Sequence, residues 1–140
     1  MALELGSFKK AIASMERVCE YADKKIAKGG LDSQELEVIK AAVIQNFEFT
    51  YELCWKFMKR WLDINYSETM IIGISRKQLF RYAAENSLII DFDAWRRYHE
   101  LRNKTSHTYD TNVAEEIFEA AGCFLEDAKQ FLQALEIRND

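Results

Sequence analysis

The 140-residue sequence has no proline, although an average composition of about 5% would supply several. Proline breaks helices by removing a donor and crowding the preceding turn, so its absence predicts long uninterrupted helices. Cysteine is scarce. Cys19, Cys54 and Cys123 are odd in number and lack a C-x-x-C pair, which suggests neither a disulfide framework nor a thiolate zinc site and predicts reduced, buried thiols. Long apolar runs are missing as well. The longest, counting glycine, is Ala120 to Leu125, far below the ~18 residues of a membrane helix. Met1 to Phe8 carries Glu4 and Gly6 in place of the lysines and apolar stretch of a secretory signal, so a cytoplasmic protein is expected. Gly29-Gly30 has neither the spacing nor the lysine of a phosphate loop, which excludes an ATPase. A di-iron bundle needs Glu-x-x-His, but Arg96 and Lys104 stand three residues before His99 and His107. No metal or cofactor is expected, and His99 reads as a solvated or hydrogen-bonded helix residue.

What is present fits one domain over residues 1–140: 49% apolar and 30% charged residues. Apolar residues at Leu5, Phe8, Ile12, Met15, Cys19, Ala22 and Ile26 recur at helical steps until Gly29-Gly30. Asp32 and Glu35 form a capping-box pattern, and a second stripe through Leu36, Ile39, Val43, Phe47, Tyr51, Cys54, Met58 and Trp61 runs to about Ile64. Asn65 to Ile74 reads as a connection. Ser75 caps a short helix to about Glu85, with Leu79, Tyr82 and Ala83 inward. Asp91 or Asp93 caps a helix carrying Trp95, Tyr98 and Leu101. After a polar stretch, Asn112 and Glu115 suggest another capping box before a helix presenting Val113, Ile117, Ala121, Phe124, Ala128, Phe131 and Leu135. The expected fold is all-α, an up-and-down four-helix bundle with one short additional helix. Phe49 and Trp55 lie off the second stripe and are candidates for a dimer or partner surface.

The net charge of -4 is uneven. Residues 76–104 hold seven basic side chains against four acidic ones, and residues 105–140 hold two against eight. A locally positive segment can hold a phosphate even in an acidic protein. At its C-terminal end, Leu101 to Asp110 packs a guanidinium (Arg102), an amide (Asn103), hydroxyls, an imidazole (His107) and a phenol (Tyr109) between two helices. On one continuous helix Arg102 and His107 would point about 140° apart. Thr105 and Ser106 favour local hydrogen bonds over helix, so the helix should end near Lys104 and turn His107 back towards Arg102. Arginine can then grip a phosphate bidentately while histidine moves a proton. The competing reading is that Arg102, Asn103 and His107 only cap helix ends.

Arg102-x4-His107-x-Tyr109 resembles the Arg-x4-His-x-Tyr motif of the HEPN superfamily, and the run Arg102 to Asp110 resembles the HepT-like family of nucleotidyltransferase substrate-binding proteins. Asn46 to Lys56 is similar to that family's second-helix signature, and Ser75 to Phe80 falls where its short third helix begins. The resemblance covers roughly residues 5–136. It implies a dimerising four-helix bundle paired with a small nucleotidyltransferase of the MNT type encoded nearby, as in toxin-antitoxin pairs. Gly6-Ser7 and Asp91-Phe92-Asp93 are too far apart, and follow no strand, to make this chain the transferase itself. Carried over residue by residue, Arg102 would bind phosphate and His107 would be the acid-base group in members that cut RNA. Asn103 and Tyr109 would contact the substrate, Tyr109 matching the tyrosine nucleotidylated in some members.

Two function classes follow. One is a helical substrate-binding subunit that docks the nucleotidyltransferase. The other is a metal-independent HEPN ribonuclease toxin, with RNA or a nucleotide as ligand, neutralised by that same partner. Cleavage by a 2′-hydroxyl needs one group to take a proton and one to give it, so two copies of His107 across a two-fold axis would be required, a second reason to expect a homodimer. The acidic balance favours the binding subunit. A helix-turn-helix reading of Ser75 to Lys104 fails because no glycine marks its turn, and no DNA partner is expected.

Overall fold

In a computed structural model, which describes residues 2–66 and 73–139, helix α1 (Gly6–Lys28) ends where the sequence places its paired glycines. Gly29 and Gly30 adopt φ of 75° and 81°, a left-handed backbone that glycine enters without steric cost. The chain then reverses into α2 (Ser33–Asn65). Asp32 accepts from the Glu35 amide at 2.8 Å, and Glu35 reaches back to the Asp32 amide, so the predicted capping box forms. At ~1.5 Å per residue, α2 is about 50 Å long and forms the spine of the bundle.

Two short helices follow: α3 (Arg76–Glu85), capped by Ser75, and α4 (Phe92–Asn103), capped by Asp91. A 3-10 turn at Thr105–His107 leads into α5 (Thr111–Ile137). Helices α1, α2 and α5 pack on one another, and α3 and α4 close the bundle by packing on α2 and on each other. The described residues contain helices and no strand. No helix among them is long and apolar enough to cross a membrane. Of the expected connection 65–74, residues 67–72 lie outside the described residues, and Asn65 belongs to α2.

The core is strongly aromatic. Phe124 of α5 meets Phe47 of α2 edge-on at 4.8 Å between centroids, and Tyr98 and Trp95 of α4 at 5.1 and 5.9 Å. These T-shaped contacts tie α4 to both long helices. The predicted stripes are buried through most of their length, and Phe57 and Leu62 join the core beside them. They do so because α2 is covered by α1, α3, α4 and α5 together, which widens its buried face beyond a single stripe.

Some details differ from expectation. The cap of α5 is Asp110, which accepts from the Asn112 amide at 2.9 Å, not the Asn112–Glu115 pair. A carboxylate just before Thr111 reaches the free amides first, and the helix starts two residues early. Cys54 is buried and Cys19 half-buried, whereas Cys123 is exposed. Ile26 is 39% exposed because α1 has passed the end of the core there.

Candidate functional site

Helix α4 stops at Asn103, and the chain tightens into the Thr105–His107 turn, as the poor helix formers predict. Thr105 Oγ1 donates to the Arg102 carbonyl at 2.8 Å, the His107 amide to the Lys104 carbonyl at 2.9 Å, and the Asp110 amide to the His107 carbonyl at 3.0 Å. The loop backbone is therefore tied down locally. Lys104 also pairs with Glu116 of α5 at 2.9 Å.

The side chains of this loop form two clusters. Arg102 is half-buried against α2: its Nε donates to Glu52 Oε1 at 2.9 Å, one terminal nitrogen approaches Glu48 Oε1 at 3.6 Å, and the other donates to Thr105 Oγ1 at 3.2 Å. Glu48 and Glu52 are one helical turn apart, so both face the guanidinium. His107 and Tyr109 lie outside this clamp. They are exposed, Tyr109 by 82%, and His107 Nδ1 lies 3.1 Å from Tyr109 Oη, with the rings edge-on at 5.8 Å. The turn forms where expected, but Arg102 and His107 share no hydrogen bond in the single chain. An extended chain would bring His107 and Tyr109 together on one side. They meet instead because the 3-10 turn continues through Thr108 (φ -73°, ψ -5°) and folds the two rings together. Among the described residues, the side chains of Arg102, Asn103 and His107 hydrogen-bond to other side chains and not to helix-end backbone.

The α2 signature supplies the other half of the site. Asn46 accepts from Ser14 of α1 at 2.9 Å, Phe47 enters the core, Glu48 and Glu52 hold Arg102, and Tyr51 Oη lies 2.8 Å from His99 Nδ1 of α4. Trp55 is not the free surface anchor expected. Its indole N–H donates to Glu52 at 2.8 Å, and Arg76 of α3 stacks over its ring at 3.3 Å from the centroid. Phe49 remains 38% exposed. The signature's link to the loop is absent from the sequence reading. Its signal there is the four-residue spacing of Glu48 and Glu52, which puts two carboxylates on the face beside the core stripe.

His99 is half-buried. Burial, reinforced by Arg76, lowers the basicity of its ring, and Nε2 lies 3.5 Å from Asn103 Nδ2. Burial also pushes the Tyr51 phenol far up despite the Arg76 charge, so it stays protonated.

Three surface clefts among the described residues lie elsewhere: between Ser87 and the end of α5, at the α1–α2 hairpin near Tyr21 and Val38, and beside Cys19 and Phe118. Residues 102–109 line none of them.

A model of the family described as "Nucleotidyltransferase substrate binding protein like" matches residues 3–137. A probable ribonuclease HepT from Haemophilus influenzae is 38% identical over 104 residues, 74% of this chain and 71% of that protein. A solved structure from the same organism, described as the substrate binding domain of a nucleotidyltransferase, superposes with a TM-score of 0.88 at 32% identity, covering 95% of this chain and 99% of that one. A Thermus thermophilus protein gives a TM-score of 0.70 at 26% identity over 91% of this chain and 98% of that one. With its whole described bundle matched and both motif stretches inside the match, the chain belongs to the family of nucleotidyltransferase substrate binding protein-like proteins.

Proposed function

We propose that this chain is the helical substrate-binding partner of a small MNT-type nucleotidyltransferase, the HepT-like half of a toxin-antitoxin pair acting in the cytoplasm, and that Tyr109 is the acceptor the transferase modifies. The observation that carries the reading is the exposed Tyr109–His107 pair at 3.1 Å. In the tautomer of His107 that carries its proton on Nε2, Tyr109 Oη donates to Nδ1. On docking, the phenol oxygen attacks the α-phosphorus of a nucleoside triphosphate held by the transferase. The new O–P bond forms as the bond to pyrophosphate breaks, and the phenolic proton passes to His107. The exposure of Tyr109 supports this reading, because it leaves the phenol open to another protein's active site. Coexpression with the neighbouring nucleotidyltransferase gene tests the partnership: copurification supports it, and failure to associate removes it.

A second reading is a HEPN ribonuclease, favoured by the name of the Haemophilus influenzae relative. There Arg102 would hold the scissile phosphate and His107 would transfer protons, with a homodimer supplying the second histidine. Phe49 would then mark part of the surface between copies. The Glu48–Glu52 clamp weighs against this reading, since two carboxylates already offset the Arg102 charge. The two readings meet in one regulatory scheme: a nucleotide on Tyr109 would place a phosphate beside His107 and exclude RNA from the same turn.

A further inference from the structure

All three nitrogens of the Arg102 guanidinium are engaged within the chain. Nε and Nη2 form the edge with which arginine grips an anion in two-pronged fashion, and that edge faces α2. There Nε donates to Glu52 Oε1 at 2.9 Å, and Nη2 lies 3.6 Å from Glu48 Oε1. The remaining nitrogen, Nη1, donates to Thr105 Oγ1 at 3.2 Å. The Thr105 hydroxyl gives its own proton to the Arg102 carbonyl at 2.8 Å, so towards the guanidinium it can only accept. Thr105 opens the 3-10 turn, and Lys104, just before it, is held by Glu116 of α5 at 2.9 Å. Beyond these anchors stand His107 and Tyr109. Among the described residues, their one side-chain hydrogen bond is to each other. The place of the Tyr109 phenol therefore follows from the turn, and the turn is held at its start through Arg102.

We propose that Arg102 is a positioning residue for Tyr109: the α2 carboxylates fix its guanidinium, the guanidinium fixes Thr105, and Thr105 sets the turn that presents the phenol. This deepens the reading of Tyr109 as the acceptor, on which it rests. A phenol that must meet a phosphorus atom in another protein's active site docks more readily from a preformed turn, because apparent affinity falls with the fraction of chains in the competent conformation.

Two readouts on the full chain test the proposal: ¹⁵N relaxation of the backbone amides of residues 105–109, and steady-state attachment of nucleotide by the neighbouring transferase. Arg102→Met removes every guanidinium donor yet keeps the bond between Thr105 and the carbonyl of residue 102. Thr105→Val removes the hydroxyl at nearly constant shape, and Thr105→Ser restores it. The expected order parameters are about 0.85 in the wild-type chain and in Thr105→Ser, and below about 0.6 in Arg102→Met and Thr105→Val. The same two variants should raise the KM for the chain about three- to tenfold at unchanged kcat. A turn that stays rigid in Arg102→Met would overturn the proposal and leave Thr105 a purely local cap. A fall in kcat at unchanged KM would overturn it too, since Arg102 would then act on the reacting groups. A wild-type chain left unmodified would remove the acceptor reading, whereas the order parameters, read without the transferase, decide separately whether Arg102 holds the turn.

Discussion

Arg102 Nε donates to Glu52 Oε1 at 2.9 Å, so the cation of the loop motif is held by the helix that carries the second motif. The same carboxylate takes the Trp55 N–H at 2.8 Å, which couples α4, through Glu52, to the face on which Arg76 of α3 stacks.

Glu52→Gln replaces a charge-assisted acceptor with a neutral one that cannot serve both donors equally. The expected cost is about 1 to 3 kcal/mol in urea unfolding. In a double-mutant cycle with Arg102→Ala the two changes should be less than additive, because both remove the same contact. Strict additivity would mean that the clamp contributes nothing.

The pH dependence follows from His99. Its folded basicity lies below the usual value of ~6.5. The unfolded chain therefore binds more protons around that pH, and stability rises with pH there. The His99 contribution is fully present above about pH 6.5 and is lost as the pH falls through that value towards the lower folded one. His99→Gln should show a shallower drop in Tm between pH 7.5 and pH 5.5 than the wild-type chain. Parallel curves would contradict the assignment of the ring as neutral and half-buried.

The helices are legible in the sequence because their signals are local. A missing proline, the Asp32–Glu35 capping box, caps at Ser75 and Asp91, and apolar steps of three and four place α1 to α4, and Trp95, Tyr98 and Leu101 are all buried as expected. The start of α5 is less legible, since Asp110 and Asn112 both suit a cap and only the loop geometry chooses between them. The Arg102–Glu48–Glu52 clamp and the Tyr51–His99 contact join residues about fifty positions apart, which no periodicity encodes. Trp55 departs from expectation for the same reason: an aromatic off the stripe can meet solvent or another helix, and here Arg76 of α3 covers it.

Phe49 is 38% exposed on α2, outside the face that buries Phe47 and Tyr51. If copies of the chain associate there, sedimentation at roughly 50 µM should give a dimer, and Phe49→Glu should shift it to monomer by burying an unpaired charge. A monomeric wild-type chain at that concentration would remove the homodimer from the account.

His107→Ala and Tyr109→Phe change exposed side chains and should each alter stability by less than about 0.5 kcal/mol. A larger loss for His107→Ala would favour a purely structural role. If His107 takes the phenolic proton, its removal should slow nucleotide attachment by about 10² to 10⁴. Tyr109→Phe should abolish attachment while leaving any RNA cleavage by the free chain intact.

The central claim is that this chain presents Tyr109 to a nucleotidyltransferase, and intact-mass spectrometry with peptide mapping after incubation with the neighbouring transferase and ATP tests it most directly. The account predicts a nucleotidyl group on Tyr109 that is absent from Tyr109→Phe and strongly reduced in His107→Ala. An unmodified chain, or one modified equally in Tyr109→Phe, would contradict it.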